Sequence, residues 1–499
     1  NVKRQALYCD MLGSARWVGE LAQRYPAREI TPLTPWFANI SIHDVEITGC
    51  STLVDVSALP EKPVKNFFFG NVKAHCDRIG KICDATKFSM KDVRIESCDT
   101  VMRIDNCDYA SFFGFSNVTT GSSVKIEKTG GECRYLNVQT YPLVPVNYQS
   151  IRPGEVWLDT EGKPIQAHGF QVTFREGKYY WYGEDKTHTL FGTNRMFGGV
   201  RCYSSTDFYN WKDEGRIIEP ATDPHSPLHH CQKLERPHIL YCAKTGRYVC
   251  WLKSQSNDGH FVILEAEHFM GPYHFVRNLK PNGFAVGDFD MYADPDTGKG
   301  YVWFERPHWE QICAELSDDY TNVNGRYSEH FVGKVPPFTR EAAAHFVMDG
   351  KHYIYTSGTT SYTPNPSEVA VFDDYHGEYT VLGNPHIGDE YAHSFCSQIT
   401  SVIKIPGKDL YVAMADRWLP HTNKTDIPKK DWQSFLTRYK DHRPYPKDFA
   451  TPKVADRFYT LVNPNQDVYK ATYVFLPIVV KDGIPMIEWK DEWKLENYE

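Results

Sequence analysis

Three acidic side chains occur at equivalent places in successive segments of this sequence. Glu235, Asp288 and Glu341 each stand nine to eleven residues before a glycine that separates two strand-like runs. If these segments surround one axis, the carboxylates meet, and like charges brought together raise one another's pKa values. Such a group suits hydrolysis of a glycosidic bond, in which one protonated carboxyl donates to the leaving oxygen and another group activates water. The alternative is three solvated strand ends.

Five segments of the sequence share this arrangement, because His168 and Gln398 occupy the same place before their own glycines. Each glycine lies between two apolar-alternating runs, as in QVTFREGKYYWYGED, and a second pair of strands follows. Four strands in each unit, at this long period, are typical of β-propeller blades. The sequence therefore predicts an all-β protein with a five-bladed propeller over residues 141–499. The turn glycines are Gly177, Gly246, Gly298, Gly350 and Gly407.

The last blade needs a distant segment of the chain. ATYVFLPIVVKDGIPMIEWKDEW, near the C-terminus, supplies the strands that complete blade five. Residues 420–470 are rich in Lys, Asp and Pro and contain one short helical stretch, DWQSFLTRYK. We interpret them as an insertion in blade five that shapes the rim of the pocket.

Residues 1–140 follow a different rhythm. ISIHDVEITGC, FFFGNVKAHC and FSMKDVRIESC align, and their final cysteines, Cys50, Cys76 and Cys98, fall in register. Alternating apolar residues at a period of 20–27 residues predict a parallel β-helix whose coils stack on one another. The cysteines would then form an inward ladder of small buried groups. We expect this partial, right-handed β-helix to be structural.

Composition narrows the class of partner. The formal net charge is −8 without a basic stretch, which argues against nucleic acid, and no apolar run is long enough for a membrane helix. The 13 cysteines include no C-x-x-C pair, and we interpret His229-His230-Cys231 as an incidental loop. We therefore expect no metal and no cofactor, with a structural calcium ion as the one alternative. The chain begins at Asn1 without a signal peptide, and we expect a secreted or periplasmic protein.

The order of motifs resembles family 43 of the glycoside hydrolases over roughly residues 150–499. The resemblance implies a five-bladed propeller with inverting hydrolase activity. The N-terminal segment TPWFANISIHDVEITGC resembles the last coils of a family 28 polygalacturonase-type β-helix, without that family's catalytic aspartates. The motifs that carry the family 43 resemblance are QAHGF, YYWYGED, CYSSTDFYNW, ERPHILY, DFDMYADPDTGKGY, REAAAHF, SQITSVI and ADRW.

The family resemblance also implies roles for individual residues. Glu341 corresponds to the general acid and Asp288 to the aspartate that modulates the pKa of that acid. The usual blade-one aspartate is absent, as in the galactan-directed branch of the family. In that branch the positions of Gln398 and Glu235 supply a proposed base and a substrate-binding or assisting glutamate. Because a neutral amide is a very poor base, Glu235 is the more ordinary candidate by pKa, and the choice stays open.

Further residues are candidates for binding substrate. His168 is read either as a hydrogen-bonding partner of the sugar, or an ion ligand, or as a structural histidine. Glu184 suits either hydroxyl recognition or a salt bridge between blades. Arg417 and Trp418 would clamp and stack on the sugar. The substrate-binding set is His168, Gln166, Tyr182, Glu184, Arg417 and Trp418.

The sequence thus predicts an exo-acting inverting glycosidase. We expect it to release terminal galactose-type residues from plant arabinogalactan or pectic side chains, as an exo-β-1,3-galactanase or β-galactosidase. The alternatives within the family are an α-L-arabinofuranosidase and a β-D-galactofuranosidase. A non-catalytic carbohydrate-binding propeller and a scaffold for protein contacts are alternatives from other classes.

Overall fold

A computed structural model describes residues 4–134, 136–139, 146–187, 189, 196–255, 259–334, 338–419 and 468–499. The chain divides into two compact units. A solenoid unit comprises residues 1–146 and 160–163, and a propeller unit comprises residues 147–159 and 164–499. The predicted insertion at 420–470, with its helical stretch, lies almost wholly outside the described residues. None of the described helices is long and apolar enough to cross a membrane.

The solenoid unit is a β-solenoid of about four turns built by parallel strand pairing, as the sequence predicts. One short helix, Ala15–Val18, and a 3-10 turn, Gly19–Ala22, follow the first strand. The strands are β1 (Gln5–Asp10), β2 (Ala38–Ser57), β3 (Val64–Glu96), β4 (Val101–Asp108), β5 (Ser111–Phe113), β6 (Ser116–Asn117), β7 (Ser122–Ser123), β8 (Lys125–Gly130) and β9 (Asn137–Gln139).

Stacked equivalent residues hold the solenoid together. Cys50 on β2 pairs in register with Cys76 on β3, and both are buried in a continuous apolar core. Cys98, the third member of the predicted ladder, is exposed and lies beyond the end of β3 at Glu96. A second ladder lies at a bend, where the Asn66 side-chain amide donates to Asn39 Oδ1 at 2.8 Å.

The propeller unit has five antiparallel blades, which confirms the predicted fold class. Blade one is β10 (His168–Arg175), β11 (Lys178–Glu184), β12 (Val200–Ser205) and β13 (Lys212–Ile218), and blade two is β14 (Leu234–Cys242), β15 (Arg247–Ser254), β16 (His260–Ala266) and β17 (His274–Leu279). Blade three is β18 (Phe289–Ala293), β19 (Gly300–Glu305), β20 (Gln311–Leu316) and β21 (Val323–His330). Blade four is β22 (Arg340–Met348), β23 (Lys351–Gly358), β24 (Glu368–Phe372) and β25 (Thr380–Gly383). Blade five is β27 (Gln398–Lys404), β28 (Tyr411–Arg417), β29 (Thr472–Lys481) and β30 (Ile484–Glu488), and the short β26 (His386–Ile387) pairs parallel with β30.

The blades close into a ring through their innermost strands. The strands β10, β14, β18, β22 and β27 each contact the next, and β27 contacts β10. All five turn glycines between the first and second strands adopt left-handed φ values of 68–80°, which glycine takes without steric cost. The C-terminal segment completes blade five as predicted. Short 3-10 turns lie at Pro281–Gly283, Ser394–Cys396, Val468–Lys470 and Leu495–Asn497.

Candidate active site

One cavity of about 480 Å³ is lined by residues from all five blades. Its wall contains all four residues predicted to be catalytic: Glu235, Asp288, Glu341 and Gln398. They lie at the start of the innermost strands or directly before one. Because these strands surround one axis, residues that are far apart in the chain share one volume.

A repeated backbone irregularity presents the residues at these strand starts. The antiparallel register shifts directly after His168, Glu235 and Glu341, and the next residue in each case has a φ of about 50°: Gly169, Arg236 and Ala342. Such bulges re-aim a side chain out of the regular ladder. A left-handed residue other than glycine costs on the order of 1 kcal/mol or more, and it persists only where the surroundings impose it.

The second strand of each blade supplies a further layer of polar residues that the sequence analysis did not single out. Lys253 lies opposite Glu235, and Ser357 lies opposite Glu341. The Glu305 backbone N–H donates to the Asp288 carbonyl at 2.9 Å, and the Glu305 side chain lines the cavity. The signal was present: each is the hairpin partner of a predicted site residue, so pairing the strands across each turn glycine would have found them.

Two cations bind the carboxylates of blades two and three. Lys253 Nζ lies 2.7 Å from Glu235 Oε2 and 2.6 Å from Asp288 Oδ1, and Arg236 Nε lies 2.8 Å from Asp288 Oδ2. Burial raises the pKa of Asp288, but Arg236 and Lys253 outweigh burial and hold it below the ordinary value. The pKa of Glu235 is likewise lowered, since Lys253 and other lysines outweigh the effect of burial. Both groups are therefore carboxylates at neutral pH.

Glu341 has the opposite environment. Burial, followed by the negative charges of Asp288 and Glu305, raises its pKa well above the ordinary value for a glutamate. Within the described part of the chain Glu341 forms no ion pair, and its one hydrogen bond there is donated by Gln398 Nε2 at 3.1 Å. A buried carboxyl group with a raised pKa beside the ionised Asp288 is an arrangement that suits a general acid.

The orientation of the Gln398 amide is fixed by its neighbours. Its Oε1 accepts hydrogen bonds from Arg236 at 3.1 Å and from Trp418 Nε1 at 2.9 Å. Both partners are obligatory donors, so the oxygen must face them and Nε2 must face Glu341 and Ser357. The lone pairs of Oε1 are thus directed at protein donors, and the amide nitrogen holds the carboxyl of Glu341.

Two of the six predicted substrate-binding residues line the cavity. Glu184 accepts a hydrogen bond from the Arg236 backbone N–H at 3.0 Å and forms an ion pair with Lys186. Burial raises the pKa of Glu184, and the charge of Glu235 adds to this shift while Lys186 opposes it. Trp418 packs edge-on against Tyr362, with ring centroids 5.2 Å apart, and both rings belong to the cavity wall.

The other four predicted substrate-binding residues do not line the cavity. His168 is fully buried between Asp416, 2.9 Å from its Nδ1, and the stacked ring of Tyr473. The Tyr182 hydroxyl accepts from the Ile239 backbone, and Arg417 donates to the Phe395 carbonyl. Gln166 is buried beneath the start of blade one. These contacts tie strands and loops of the propeller together, and a substrate-binding role for the four residues stays a prediction.

Asp290, two residues after the predicted Asp288 in the sequence of blade three, is a further buried carboxyl group of the propeller. Asp290 accepts from the His345 backbone at 2.6 Å and lies 3.0 Å from His238 Nε2, so it joins neighbouring blades.

Among the described residues, one group has metal-ligating atoms close together: the loop residues His229, His230 and Cys231, whose ligand atoms lie within 4.8 Å of one another.

Residues 170–402, just under half of the chain, match the family model described as glycosyl hydrolases family 43. Among solved structures, the chain is similar to a family 43 β-1,3-galactosidase at 27% identity and a TM-score of 0.57, covering 70% of this chain and 65% of that one. A second family 43 β-1,3-galactosidase is 27% identical with a TM-score of 0.56, and 69% of this chain matches 100% of it. An exo-β-1,3-galactanase from Clostridium thermocellum is 25% identical with a TM-score of 0.52, covering 69% and 66%.

The chain spans about two thirds of the length of the first and third of these structures and all of the second. Among curated proteins, none matches the chain. The family 28 resemblance of the solenoid stays a prediction. The family-model match and the structural similarity together indicate a glycoside hydrolase whose propeller is similar to those of the family 43 structures.

Proposed function

We propose that this protein is an exo-acting inverting hydrolase that releases terminal galactose from a β-1,3-linked galactan. The observation that carries the proposal is the unequal pairing of two carboxyl groups in a cavity that all five blades line: Arg236 and Lys253 pair with Asp288, whereas burial and the charge of Asp288 raise the pKa of Glu341. The similar structures support the substrate class, because they are described as β-1,3-galactosidases and an exo-β-1,3-galactanase. One of them was solved with galactodeoxynojirimycin. Plant arabinogalactan or pectic side chains, met outside the cytoplasm, are the proposed natural source.

In this mechanism Glu341 donates its proton to the oxygen that leaves with the remaining chain. Asp288 cannot take that role, since Arg236 and Lys253 occupy its two oxygens and keep it ionised. Its fixed negative charge instead keeps the pKa of Glu341 high and stabilises positive charge that develops on the sugar. The proton therefore comes from Glu341 and not from Asp288.

Glu235 is the proposed base that activates water. It is ionised and lines the same cavity as Glu341, and an inverting enzyme needs a second carboxylate that activates water on the opposite face of the sugar from the acid. Its lowered pKa makes it a weak base, so proton transfer to it comes late in bond formation. Gln398 is the alternative base, but its Oε1 is directed at Arg236 and Trp418, and we assign it to holding Glu341 in position.

Product analysis by NMR on β-1,3-galactan, with samples taken in the first minutes, tests substrate, linkage and stereochemistry together. The proposal expects free galactose in the α-configuration as the first product. Release from arabinofuranosyl or galactofuranosyl glycosides without release from galactan would favour the family alternatives. Galactan binding without release of any sugar would instead identify a carbohydrate-binding propeller.

The two candidate bases are separated by exogenous azide. Glu235→Ala removes the proposed base and opens space beside the anomeric carbon, and Gln398→Ala does the same for the alternative. Azide needs no base, so it restores turnover and gives a galactosyl azide only in the variant that has lost the base. Rescue of Gln398→Ala instead of Glu235→Ala would reverse the assignment.

A further inference from the structure

Lys253 contacts two carboxylates that act on different sides of the reaction. Its Nζ lies 2.7 Å from Glu235 Oε2, the proposed base, and 2.6 Å from Asp288 Oδ1, the modulator of the acid. The side chain is 5% exposed and comes from β15, where Lys253 lies directly opposite Glu235. A buried lysine is costly unless it is paired, and here both partners are site carboxylates.

We propose that Lys253 is a positioning residue that sets which carboxyl of the site carries the proton. This inference rests on the proposed function, because it assigns the acid and base to Glu341 and Glu235. Lys253 holds Glu235 and Asp288 as carboxylates, and the proton stays on Glu341, which has no cation partner among the described residues. With Lys253 neutral or absent, three neighbouring carboxyls would compete for that proton.

Other charges around the site do not replace Lys253. Arg236 contacts only the far oxygen of Asp288, and Lys233 lies 3.5 Å from the other oxygen of Glu235. Gln255 Nε2 shares Glu235 Oε2 with Lys253 at 3.0 Å, but it is neutral. Arg236 also crosses from blade two to Asp288, but in the described ranges Lys253 is the cation that pairs with both Glu235 and Asp288. The titratable and charged groups that face the cluster from all sides are Glu184, Lys186, Lys233, Glu235, Arg236, Asp288, Glu305, His308 and Glu341.

The sign of the effect follows from the charges. Removing the lysine cation raises the pKa of Glu235, so the acid limb of the kcat/KM profile moves to higher pH. It also raises the pKa of Glu341, whose charge Lys253 attracts, so the basic limb moves to higher pH as well. Both limbs therefore move to higher pH. Loss of the packing contacts of Lys253 alone would lower stability or kcat without moving both limbs in this direction.

The test is the pH profile of galactose release by Lys253→Met, which keeps the aliphatic stem and removes the charge. We expect both limbs to move up by about one to three pH units, the range for loss of an opposite charge at contact distance. Lys253→Arg restores the charge and should return both limbs to their wild-type positions. Lys244→Met, on an exposed lysine of the same blade, is the matched control and should leave the profile unchanged.

Unmoved limbs with a uniformly lower kcat and a lower melting temperature would overturn the inference and leave Lys253 a structural residue. If Lys253→Met does not fold, Lys253→Gln, which can still hydrogen-bond, is read in the same way. The proposed function is tested separately by the wild-type protein. A wild type that releases no galactose fails the proposed function, whereas an active wild type with unmoved limbs in the variants fails only this inference.

Discussion

The two units of this chain are both built from repeats, but equivalent positions behave in opposite ways. In the solenoid they stack along a line, and like residues follow one another: Cys50 on Cys76, and Asn39 on Asn66. In the propeller they converge on one cavity, and the residues differ: Glu235, Asp288, Glu341 and Gln398. Stacking favours identical residue types, because each side chain packs against the equivalent side chain of the adjacent strand at the spacing between neighbouring strands.

Convergence has an electrostatic consequence that stacking does not have. Carboxylates that meet at one place cannot all remain ionised without cations. The propeller supplies Lys253 and Arg236 to two of them and leaves Glu341 with a raised pKa. The chemistry of the site thus arises from unequal partners at equivalent positions.

The strongest test of this contrast is Glu341→Gln. The variant keeps the size of the side chain and its hydrogen bonding to Gln398, so the melting temperature should be unchanged. Galactose release should fall by about 10²–10⁴-fold, the usual contribution of a general acid, while galactan binding by calorimetry persists. Glu329→Gln, on an exposed strand of blade three, is the control. Full activity of Glu341→Gln would contradict the assigned acid.

In the solenoid a comparable substitution should change stability alone. Phe88 is buried and stacks on Phe67 with ring centroids 4.8 Å apart. Phe88→Ala should lower the free energy of unfolding of that unit by about 3–5 kcal/mol in a denaturant titration. Since the described residues that line the cavity all belong to the propeller unit, kcat of the folded variant should match wild type. A large drop in kcat without a loss of stability would show that this part of the solenoid contributes to activity, and it would contradict the prediction.

Asp288→Asn tests the convergence of charge directly. The raised pKa of Glu341 keeps the acid protonated, so activity is present below that pKa and is lost as pH rises through it. Removing the negative charge of Asp288 lowers the pKa of Glu341. The basic limb of kcat/KM should move to lower pH by about one unit or more, opposite to the direction expected for Lys253→Met. A basic limb that stays in place would show that the charge of Asp288 does not contribute to the raised pKa of Glu341.

The smallest effect is expected at the asparagine ladder. Asn66 adopts a left-handed φ of 55° and donates to Asn39 at 2.8 Å near the surface. Asn66→Ala loses the hydrogen bond and strains the backbone, and should cost about 1 kcal/mol of stability. Asn66→Gly tolerates the same φ and isolates the hydrogen bond, so it should cost less. Equal losses in both variants would mean that the backbone conformation contributes nothing.

Much of the architecture was readable because repeats leave a strong local signal. The turn glycines and the alternating apolar runs are patterns of residues close together in sequence. The run that supplies the last strands of blade five shows the same local pattern, although it lies far along the chain from the first two strands of that blade. The positions of Glu235, Asp288, Glu341 and Gln398 in one cavity followed from a single assumption, that the repeats form a ring. Their chemical roles remain proposals that the experiments above test.

Three predicted binding residues that lie away from the cavity are on the expected strands, but their side chains point elsewhere. His168 occupies the repeat position, but Asp416 and Tyr473 enclose it, and the cavity wall of blade one is Glu184. Tyr182 and Arg417 lie on the predicted strands and turn into structural contacts instead. Alternation gives the face of a strand, but it does not say which neighbouring blade covers that face.

The sequence by itself therefore determined the two repeat architectures and the ring of chemically competent residues, because periodicity is a local property of the chain. Only the tertiary structure decided which carboxylate holds a proton, because that depends on cations delivered by other strands. Lys253 and Arg236 reach Asp288 across a blade boundary, and nothing in the spacing of the repeats specifies that contact. The pKa of a buried group is set by what surrounds it in space, and the chain order does not contain that information.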